Sequence, residues 1–296
     1  MGVVSELQLL GKKIQGFDCV FSGNIPRGGG LSSSAALECG IIFGLNYLFE
    51  LNMPKLQMVK AAQLAEHHFT GVKCGIMDQF ASMMGKQNHA IQLDCRTLAY
   101  SYFNLDLGEY TLLLCDSNVK HELESSEYNT RRLECDTGVA ILKKHFPEIL
   151  SLRDVSIGML NARRKDFPES IFKRCQYVVE ENQRVLDVGI AFRQNDLKKV
   201  GRLLFEGHAG LRDLYEVSCK ELDFLVELAK KGNYILGARM MGGGFGGCTI
   251  NLIHRSKVDY FQDHAKRQYA FRFGKKLESF KVNCSDGVSL MQKFFI

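Results

Sequence analysis

The sequence predicts an α+β protein with two domains. In its first third, helical runs with apolar residues three and four positions apart give way, from about residue 89, to short runs that alternate apolar and polar residues. Beyond residue 117 the pattern is mainly helical, and two later strand-like runs flank a cluster of glycines. A chain of 296 residues can bury a large core and more often forms two domains than one.

The first part of the chain carries three predicted helices and then three strands. Leu37, Ile41 and Leu45 recur at helical spacing, and Asn52-Met53-Pro54 ends that run. In the third helix, Asp78 occupies the first turn, where a negative charge complements the helix dipole. Predicted helices cover residues 33–50, 54–70 and 76–84, and predicted strands cover 89–93, 98–105 and 110–115.

The second part is richer in helix. Predicted helices cover residues 126–145, 171–192, 197–207, 219–231 and 258–270, and predicted strands cover 234–240, 248–254 and 277–282. The change from strand-rich to helix-rich sequence near residues 106–110 gives the domain boundary. We therefore predict one domain at residues 1–106 and a second at 107–296.

Composition argues against several classes of protein. No apolar stretch is long enough to span a bilayer, and a net charge of +5 without a basic stripe argues against nucleic-acid binding. The ten cysteines show no paired spacing, which favours buried free thiols over disulfides or zinc. We predict a cytoplasmic protein with no obligate protein partner and no membrane attachment, and the mild basic excess suits an anionic small molecule.

A glycine- and serine-rich segment that opens the first predicted helix has the features of a phosphate-binding loop. Glycines let the backbone approach a ligand closely, and the amides and dipole of a helix N-terminus attract an anion. It does not match the G-x-x-x-x-G-K-[ST] loop or the G-x-G-x-x-G spacing. The alternative is a serine-capped helix after a flexible turn. The candidate nucleotide-binding residues are Pro26, Arg27, Gly28, Gly29, Gly30, Leu31, Ser32, Ser33 and Ser34.

Two further side chains, together with Ser34 of this loop, complete the parts needed for magnesium-assisted phosphoryl transfer. Ser34 and Glu66 offer the hard oxygen ligands that Mg²⁺ prefers, and Asp78 could accept a proton from an attacking hydroxyl. Each also has an ordinary structural interpretation: a glutamate near a helix end is usually solvated, and an aspartate in a first turn usually complements the dipole.

A second glycine run separates the predicted strands at 234–240 and 248–254. As a loop between antiparallel neighbours, it could be a close-packed hairpin or could contact a ligand, and these residues alone favour neither. Its members are Gly242, Gly243, Gly244, Phe245, Gly246 and Gly247.

Several motifs together resemble those of the GHMP kinases, and of galactokinases among them. Residues 26–36 resemble the second GHMP motif, residues 74–79 (CGIMDQ) the galactokinase catalytic segment, and residues 239–248 (RMMGGGFGGC) the third GHMP motif. Residues 116–121, 125–128 and 211–218 also look like galactokinase. The similarity covers nearly the whole chain, and the motifs occur in the family's order.

The resemblance implies a two-domain GHMP kinase fold, with an N-terminal domain like the second domain of ribosomal protein S five and a ferredoxin-like C-terminal domain. It implies phosphorylation of D-galactose by ATP at the anomeric hydroxyl, as in Leloir galactose catabolism. The resemblance further implies that Gly28 to Ser34 hold the ATP phosphates and that Ser34 and Glu66 hold Mg²⁺. Asp78 is the catalytic base, Tyr128 and Gly75 bind the sugar, and Gly242 to Gly247 lie near the active site.

One motif of the resembled family has no counterpart in these residues. Galactokinases carry an earlier segment that contains Gly-Glu-His and an arginine, whereas this sequence has no Gly-Glu-His and no arginine before Arg27. The N-terminal domain is therefore expected to be truncated, and residues 1–296 alone to phosphorylate galactose weakly. The alternatives are a non-catalytic nucleotide- or galactose-binding protein and a GHMP kinase for N-acetylgalactosamine.

Overall fold

The computed structural model describes residues 1–25, 31–119 and 124–291, with the side chains of 124–126 left out. Mixed helices and antiparallel sheets make up this part of the chain. Its helices are α1 Gly2–Leu9, α2 Ser33–Leu48, α3 Lys55–Ala65, α4 Met77–Met84, α5 Glu124–Lys143, α6 Ile157–Ala162, α7 Glu169–Arg193, α8 Leu197–Asp213, α9 Lys220–Lys230 and α10 Val258–Phe273. Its strands are β1 His89–Leu93, β2 Tyr100–Asn104, β3 Tyr110–Asp116, β4 Ile235–Met240, β5 Cys248–His254 and β6 Glu278–Val282.

The described chain divides into two compact units. The first comprises residues 1–25, 31–105 and 283–291, and the second comprises 106–119 and 124–282. Residues 283–291 belong to the first unit although they follow the second in sequence. Backbone hydrogen bonds hold them there: the Gly287 amide donates to the Gly85 carbonyl at 2.8 Å, and the Val288 amide donates to the Ser82 carbonyl at 3.0 Å. A division of the chain into domains at residues 1–106 and 107–296 stays a prediction.

Helices α1 to α4 form the core of the first unit. Fully buried side chains from all four helices meet there, including Leu7, Ile42, Met58 and Phe80. The buried side of α2 passes through Ala35, Cys39 and Ile42, whereas Leu37, which has the predicted helical spacing, is 40% exposed. Strands β1 and β2 pair antiparallel as a two-stranded sheet in this unit.

A four-stranded antiparallel sheet organises the second unit, with strand order β4-β5-β3-β6. Alternate residues of β3 enter different cores. Leu113 and Cys115 pack with residues of α9 and α10, whereas Leu112 packs with a cluster that includes Ala191 of α7 and Val200 of α8. The alternation of β3 therefore reflects helices against both faces of the sheet.

Helix α8 is longer than its sequence pattern predicts, because it passes Gly207 and continues to Asp213. Glycine usually weakens a helix interior. Here the missing side chains are needed for packing: a Cβ on Gly207 would lie 2.9 Å from the Arg239 guanidinium, and one on Gly210 would lie 2.7 Å from the Tyr177 ring. Tertiary packing therefore outweighs helix propensity at these two positions.

Helix α8 approaches strand β4 with backbone against backbone. A Cβ on Gly201 would overlap the carbonyl oxygen of Leu236, and a Cβ on Gly237 would overlap the carbonyl oxygen of Gly201. Helix and strand can therefore lie this close only because both positions are glycine.

A half-buried ion pair links α7 to the end of β4. The Arg239 guanidinium donates to Glu181 Oε1 at 2.6 Å, and Arg184 also donates to this carboxylate. Burial alone would raise the pKa of Glu181, but the two arginines outweigh burial and lower that pKa below its ordinary value. The pair therefore stabilises the fold above the ordinary glutamate pKa, and the stabilisation is lost as the pH falls through the lowered pKa.

Replacing Glu181 with glutamine should reduce the free energy of unfolding at pH 7 by about 1.5–3 kcal/mol, because Arg239 loses a charged partner. The difference from the wild type should shrink below about pH 4, where the wild-type carboxylate takes up its proton. Urea unfolding at pH 7 and below about pH 4 measures the difference in the free energy of unfolding between the variant and the wild type. Glu206→Gln, which removes the exposed partner of Arg202, is the control with little expected effect. An equal loss of stability at both pH values would contradict the prediction.

Among the described helices, none combines the length and the hydropathy needed to cross a membrane.

Candidate active site

The N-terminus of α2 presents backbone donors to a ligand. Ser32 precedes the helix in a left-handed conformation (φ 51°) and its side chain makes no capping bond. The first backbone hydrogen bond of the helix is the one that the Ala36 amide donates to the Ser32 carbonyl at 3.1 Å. The amides of Ser33, Ser34 and Ala35 precede that bond, so the helix offers them no acceptor of its own and they are available to an anion.

The phosphate-loop residues fall partly within the described chain. Pro26, Arg27, Gly28, Gly29 and Gly30 lie outside the described residues. Leu31, Ser32 and Ser33 are half-buried, and Ser34 is exposed. Of the predicted segment, the structure therefore describes the helix start and its three serines.

Glu66 lies at an irregular turn rather than in a regular helix. Helix α3 ends at Ala65, and residues Glu66–Thr70 form a π-helical turn, a feature that is frequent at functional sites. The Thr70 hydroxyl lies 2.7 Å from the Glu66 carbonyl oxygen and 2.8 Å from its carboxylate. Glu66 is only 8% exposed, so it is not the solvated surface glutamate that residue type alone would suggest.

A second carboxylate, Glu38, lies beside Glu66 and was not identified from the sequence. The two carboxyl groups are within hydrogen-bonding reach of each other. Burial, followed by the negative charge of Glu66, raises the pKa of Glu38 to about 8. Its spacing could have indicated it, because Glu38 follows Ser34 by four residues and therefore lies on the same face of α2.

Asp78 is exposed in the first turn of α4, as the sequence predicts. The loop before α4, which contains Gly75, is fixed at its Cys74 carbonyl by His67 Nε2 at 2.8 Å and by Gln63 Nε2 at 3.0 Å. Gly75 itself is exposed. These contacts fix the position from which α4 begins.

The negative charges of the three carboxylates all act on one thiol, that of Cys74. The pKa of Cys74 is raised by burial and then by the negative charges of Glu66, Glu38 and Asp78. Residues separated along the sequence on α2, the π-helical turn and α4 therefore act on the same small region of the first unit.

The residues of this region fit a hydrated magnesium ion bound to phosphates. Glu66 and Glu38 supply hard carboxylate oxygens, and the buried Gln79 Oε1 has no hydrogen-bond partner among the described residues. Within the same part of the chain no group of three or more His, Cys, Asp or Glu side chains forms a closed metal site. A cation that takes one or two carboxylates and completes its shell with water and phosphate oxygens suits this donor set, and this is how Mg²⁺ is commonly bound.

In the second unit, the glycine-rich loop joins β4 to β5, which pair antiparallel. Gly244 (φ 95°) and Gly246 (φ 159°) are buried, and a Cβ on either would collide with a carbonyl oxygen, that of Val217 or Val119. Close packing therefore accounts for both glycines. Gly242 is exposed with open space at its Cβ position, and a Cβ on Gly243 would lie 3.3 Å from the Tyr128 ring. A ligand contact for Gly242 to Gly247, and for Tyr128, stays a prediction.

Two other galactokinase-like segments hold the glycine-rich loop in place. The Ser117 amide and hydroxyl donate to the Gly247 carbonyl at 3.0 and 2.8 Å. On the other side, the Phe245 amide donates to the Val217 carbonyl at 2.7 Å, and the Arg131 guanidinium lies 5.8 Å from the Phe245 ring centroid. In the described structure, residues 116–119 and 211–218 thus support the loop.

Comparisons with known proteins agree with this architecture. The family described as GHMP kinases N terminal domain matches residues 2–86, and GHMP kinases C terminal matches residues 190–270. The galactokinase of Thermotoga neapolitana is 46% identical over 97% of this chain and 79% of its own length. The chain belongs to the galactokinase branch of the GHMP kinase family.

Other galactokinases and solved structures support the same conclusion. The galactokinase of Thermosipho africanus is 42% identical over 98% of this chain and 80% of its own length. The crystal structure of Lactococcus lactis galactokinase complexed with galactose superposes with a TM-score of 0.93 at 36% identity, over 97% of this chain and 74% of that one. An L. major mevalonate kinase, at 17% identity and a TM-score of 0.55, shares the fold alone.

Membership of the GHMP kinase family confirms the predicted two-domain GHMP kinase fold of mixed helix and sheet. It also confirms that the protein is a kinase, that is, a phosphotransferase, of a family that uses ATP.

Proposed function

We propose that this galactokinase family member transfers the γ-phosphoryl group of ATP to the anomeric hydroxyl of D-galactose, with Mg²⁺, forming galactose 1-phosphate and ADP. The observation that carries the proposal is the start of α2, whose first amides have no acceptor among the described residues of the helix. They lie on the same helix as Glu38 and in the same unit as Glu66 and Asp78. The galactokinases among its relatives, and the galactose in the Lactococcus lactis structure, support galactose as the acceptor.

In this proposal the start of α2 binds the phosphates. The amides of Ser33, Ser34 and Ala35 donate to phosphate oxygens, and the positive end of the helix dipole favours the charge. The loop from Pro26 to Gly30 is proposed to continue this contact. Ser34 and Glu66 hold Mg²⁺, which neutralises negative charge on the phosphates when it is bound.

The acceptor sugar is proposed to meet Asp78. Its carboxylate is exposed at the start of α4, where it can accept the proton of the anomeric hydroxyl as that oxygen attacks phosphorus. Exposed Gly75, just before this helix, lets a sugar approach the backbone closely. Tyr128 and the loop from Gly242 to Gly247 complete the proposed substrate contacts, and a cytoplasmic location and a role in galactose catabolism belong to the same proposal.

The test follows product formation with purified protein, ATP and MgCl₂. ³¹P NMR should show a galactose 1-phosphate resonance with D-galactose and none with methyl β-D-galactopyranoside, which lacks a free anomeric hydroxyl. N-acetylgalactosamine, offered in competition, distinguishes the alternative sugar kinase by its product. Nucleotide and sugar binding without any phosphorylated product would instead indicate the non-catalytic binding protein.

Replacing Ser34 with alanine should weaken MgATP binding about tenfold, equivalent to about 1.4 kcal/mol, because a ligand oxygen is lost while the helix amides remain. The KM for galactose should change little. Isothermal titration with a non-hydrolysable ATP analogue measures the affinity. Ser101→Ala, at an exposed serine of β2 in the same unit, is the matched control. Unchanged affinity in Ser34→Ala would remove this hydroxyl from the cation site.

A further inference from the structure

Glu38 has no role in the proposed function so far, although it lies in the middle of the candidate active site. We propose that Glu38 is a second carboxylate of the divalent-cation site, aligned by Gln79, so that Glu38 and Glu66 receive the cation together. This inference rests on the proposed function, since the cation is the one that accompanies the nucleotide.

The first argument is position. Glu38 follows Ser34 by one helical turn, so both point from the same face of α2. The Glu38 carboxyl lies within hydrogen-bonding reach of the Glu66 carboxyl, which is 8% exposed. Two carboxylates this close in a poorly hydrated place repel each other, and a divalent cation removes that repulsion.

The second argument is the side chain of Gln79, which is only 2% exposed. Its amide nitrogen donates to Glu38 Oε2 at 3.3 Å, so the side-chain amide lies directly against the Glu38 carboxylate. Its amide oxygen has no hydrogen-bond partner within the described chain. A buried amide oxygen without a partner costs free energy, and a cation or a water molecule on that cation would satisfy it.

The third argument is the connection to Asp78. Gln79 directly follows Asp78, and the Cys39 thiol contacts the Gln79 carbonyl oxygen at 3.4 Å. Glu38 and Cys39 of α2 therefore both contact Gln79, through its side chain and its backbone. Occupation of the cation site would thus fix the helix that carries the proposed base.

The test measures cation binding directly, without turnover. Mn²⁺ serves as the probe because its free form is quantified by EPR, and the full chain is titrated in the presence of a non-hydrolysable ATP analogue. Glu38→Gln keeps the size of the side chain and its contact with Gln79 but removes the charge. We expect it to bind Mn²⁺ about tenfold or more weakly, and Gln79→Met, which removes the aligning amide, to show a smaller loss.

The matched control is Glu50→Gln. Glu50 is an exposed glutamate of the same unit, between α2 and α3, that has no proposed role. This variant should bind Mn²⁺ like the wild type. Without metal, the melting temperature of Glu38→Gln should equal or exceed that of the wild type, since glutamine keeps the contact with Gln79 and places no ionisable group beside Glu66. The rise in melting temperature on adding Mn²⁺ should be smaller. If Glu38→Gln does not fold, Glu38→Asp takes its place, with an expected loss of affinity of the same sign.

Wild-type Mn²⁺ affinity in Glu38→Gln, alongside weakened binding in Glu66→Gln, would overturn the role of Glu38 and leave the proposed function standing. A reduced kcat in Glu38→Gln would not restore that role, because a fall in kcat without a loss of Mn²⁺ affinity would indicate a structural role. Failure of the wild-type protein to bind Mn²⁺ with the nucleotide analogue would overturn both this inference and the proposed cation site.

Discussion

The Asp78→Asn variant, in a chain extended by the N-terminal segment of a galactokinase relative, should lose about two to four orders of magnitude in kcat, the usual contribution of a positioned general base. Asparagine matches aspartate in size but cannot accept the hydroxyl proton. The start of α2 and the carboxylates beside it are unchanged, so affinity for MgATP should stay near that of the wild type. Steady-state kinetics and calorimetry on the same preparation separate the two effects.

A matched control for Asp78→Asn is Asp18→Asn, at an exposed aspartate of the same unit that has no proposed role. It should retain wild-type turnover. If Asp78→Asn turned over galactose at close to the wild-type rate, Asp78 would not take part in the chemistry. If instead the KM for MgATP rose and kcat held, the residue would belong to nucleotide binding.

Replacing Gly237 with alanine should reduce the free energy of unfolding by about 3 kcal/mol or more, at the upper end of what overpacking costs. The added methyl would overlap the Gly201 carbonyl oxygen, which belongs to the backbone of α8 and cannot rotate away. Helix and strand would have to separate, and the packing between α8 and β4 would be lost. Urea unfolding followed by circular dichroism measures the change.

The comparison for this variant is Gly44→Ala in α2. A Cβ there meets no atom within 4 Å, so alanine should be neutral or stabilise the protein by about 0.5–1 kcal/mol through helix propensity. Equal stability of Gly237→Ala and Gly44→Ala would show that α8 and β4 can move apart at little cost.

Local patterns in the sequence predicted the regular elements well. The start of α2 at Ser33 and the limits of β1 and β5 agree with the structure, because these elements are set by alternation, helical spacing and turn residues. The sequence did not predict the break after Ala65, where a regular helix becomes a π-helical turn. That turn depends on contacts with distant residues, such as Glu6 with His68, and these leave no periodic signal.

The candidate site was predicted unevenly for the same reason. Ser34, Glu66 and Asp78 were identified from residue type and motif, and their roles remain predictions. Glu38 was missed because its significance comes from its neighbour: a glutamate on a half-buried helix face is unremarkable until Glu66 and Gln79 lie beside it. The short helix α6 was also missed, since six residues are too few to show periodicity.

The order of strands in the second unit has a consequence during synthesis on the ribosome. Among the described strands, β3 pairs with β5 and β6, and the Ser117 hydroxyl just after β3 donates to the Gly247 carbonyl, 130 residues later. At the usual rates of translation, roughly 10 s separate the synthesis of β3 from the synthesis of these partners. The first unit likewise lacks residues 283–291 until that segment has been synthesised. The edges of β3 therefore stay unpaired in the nascent chain until β5 and β6 have been synthesised, and an unpaired strand edge is open to association with another chain.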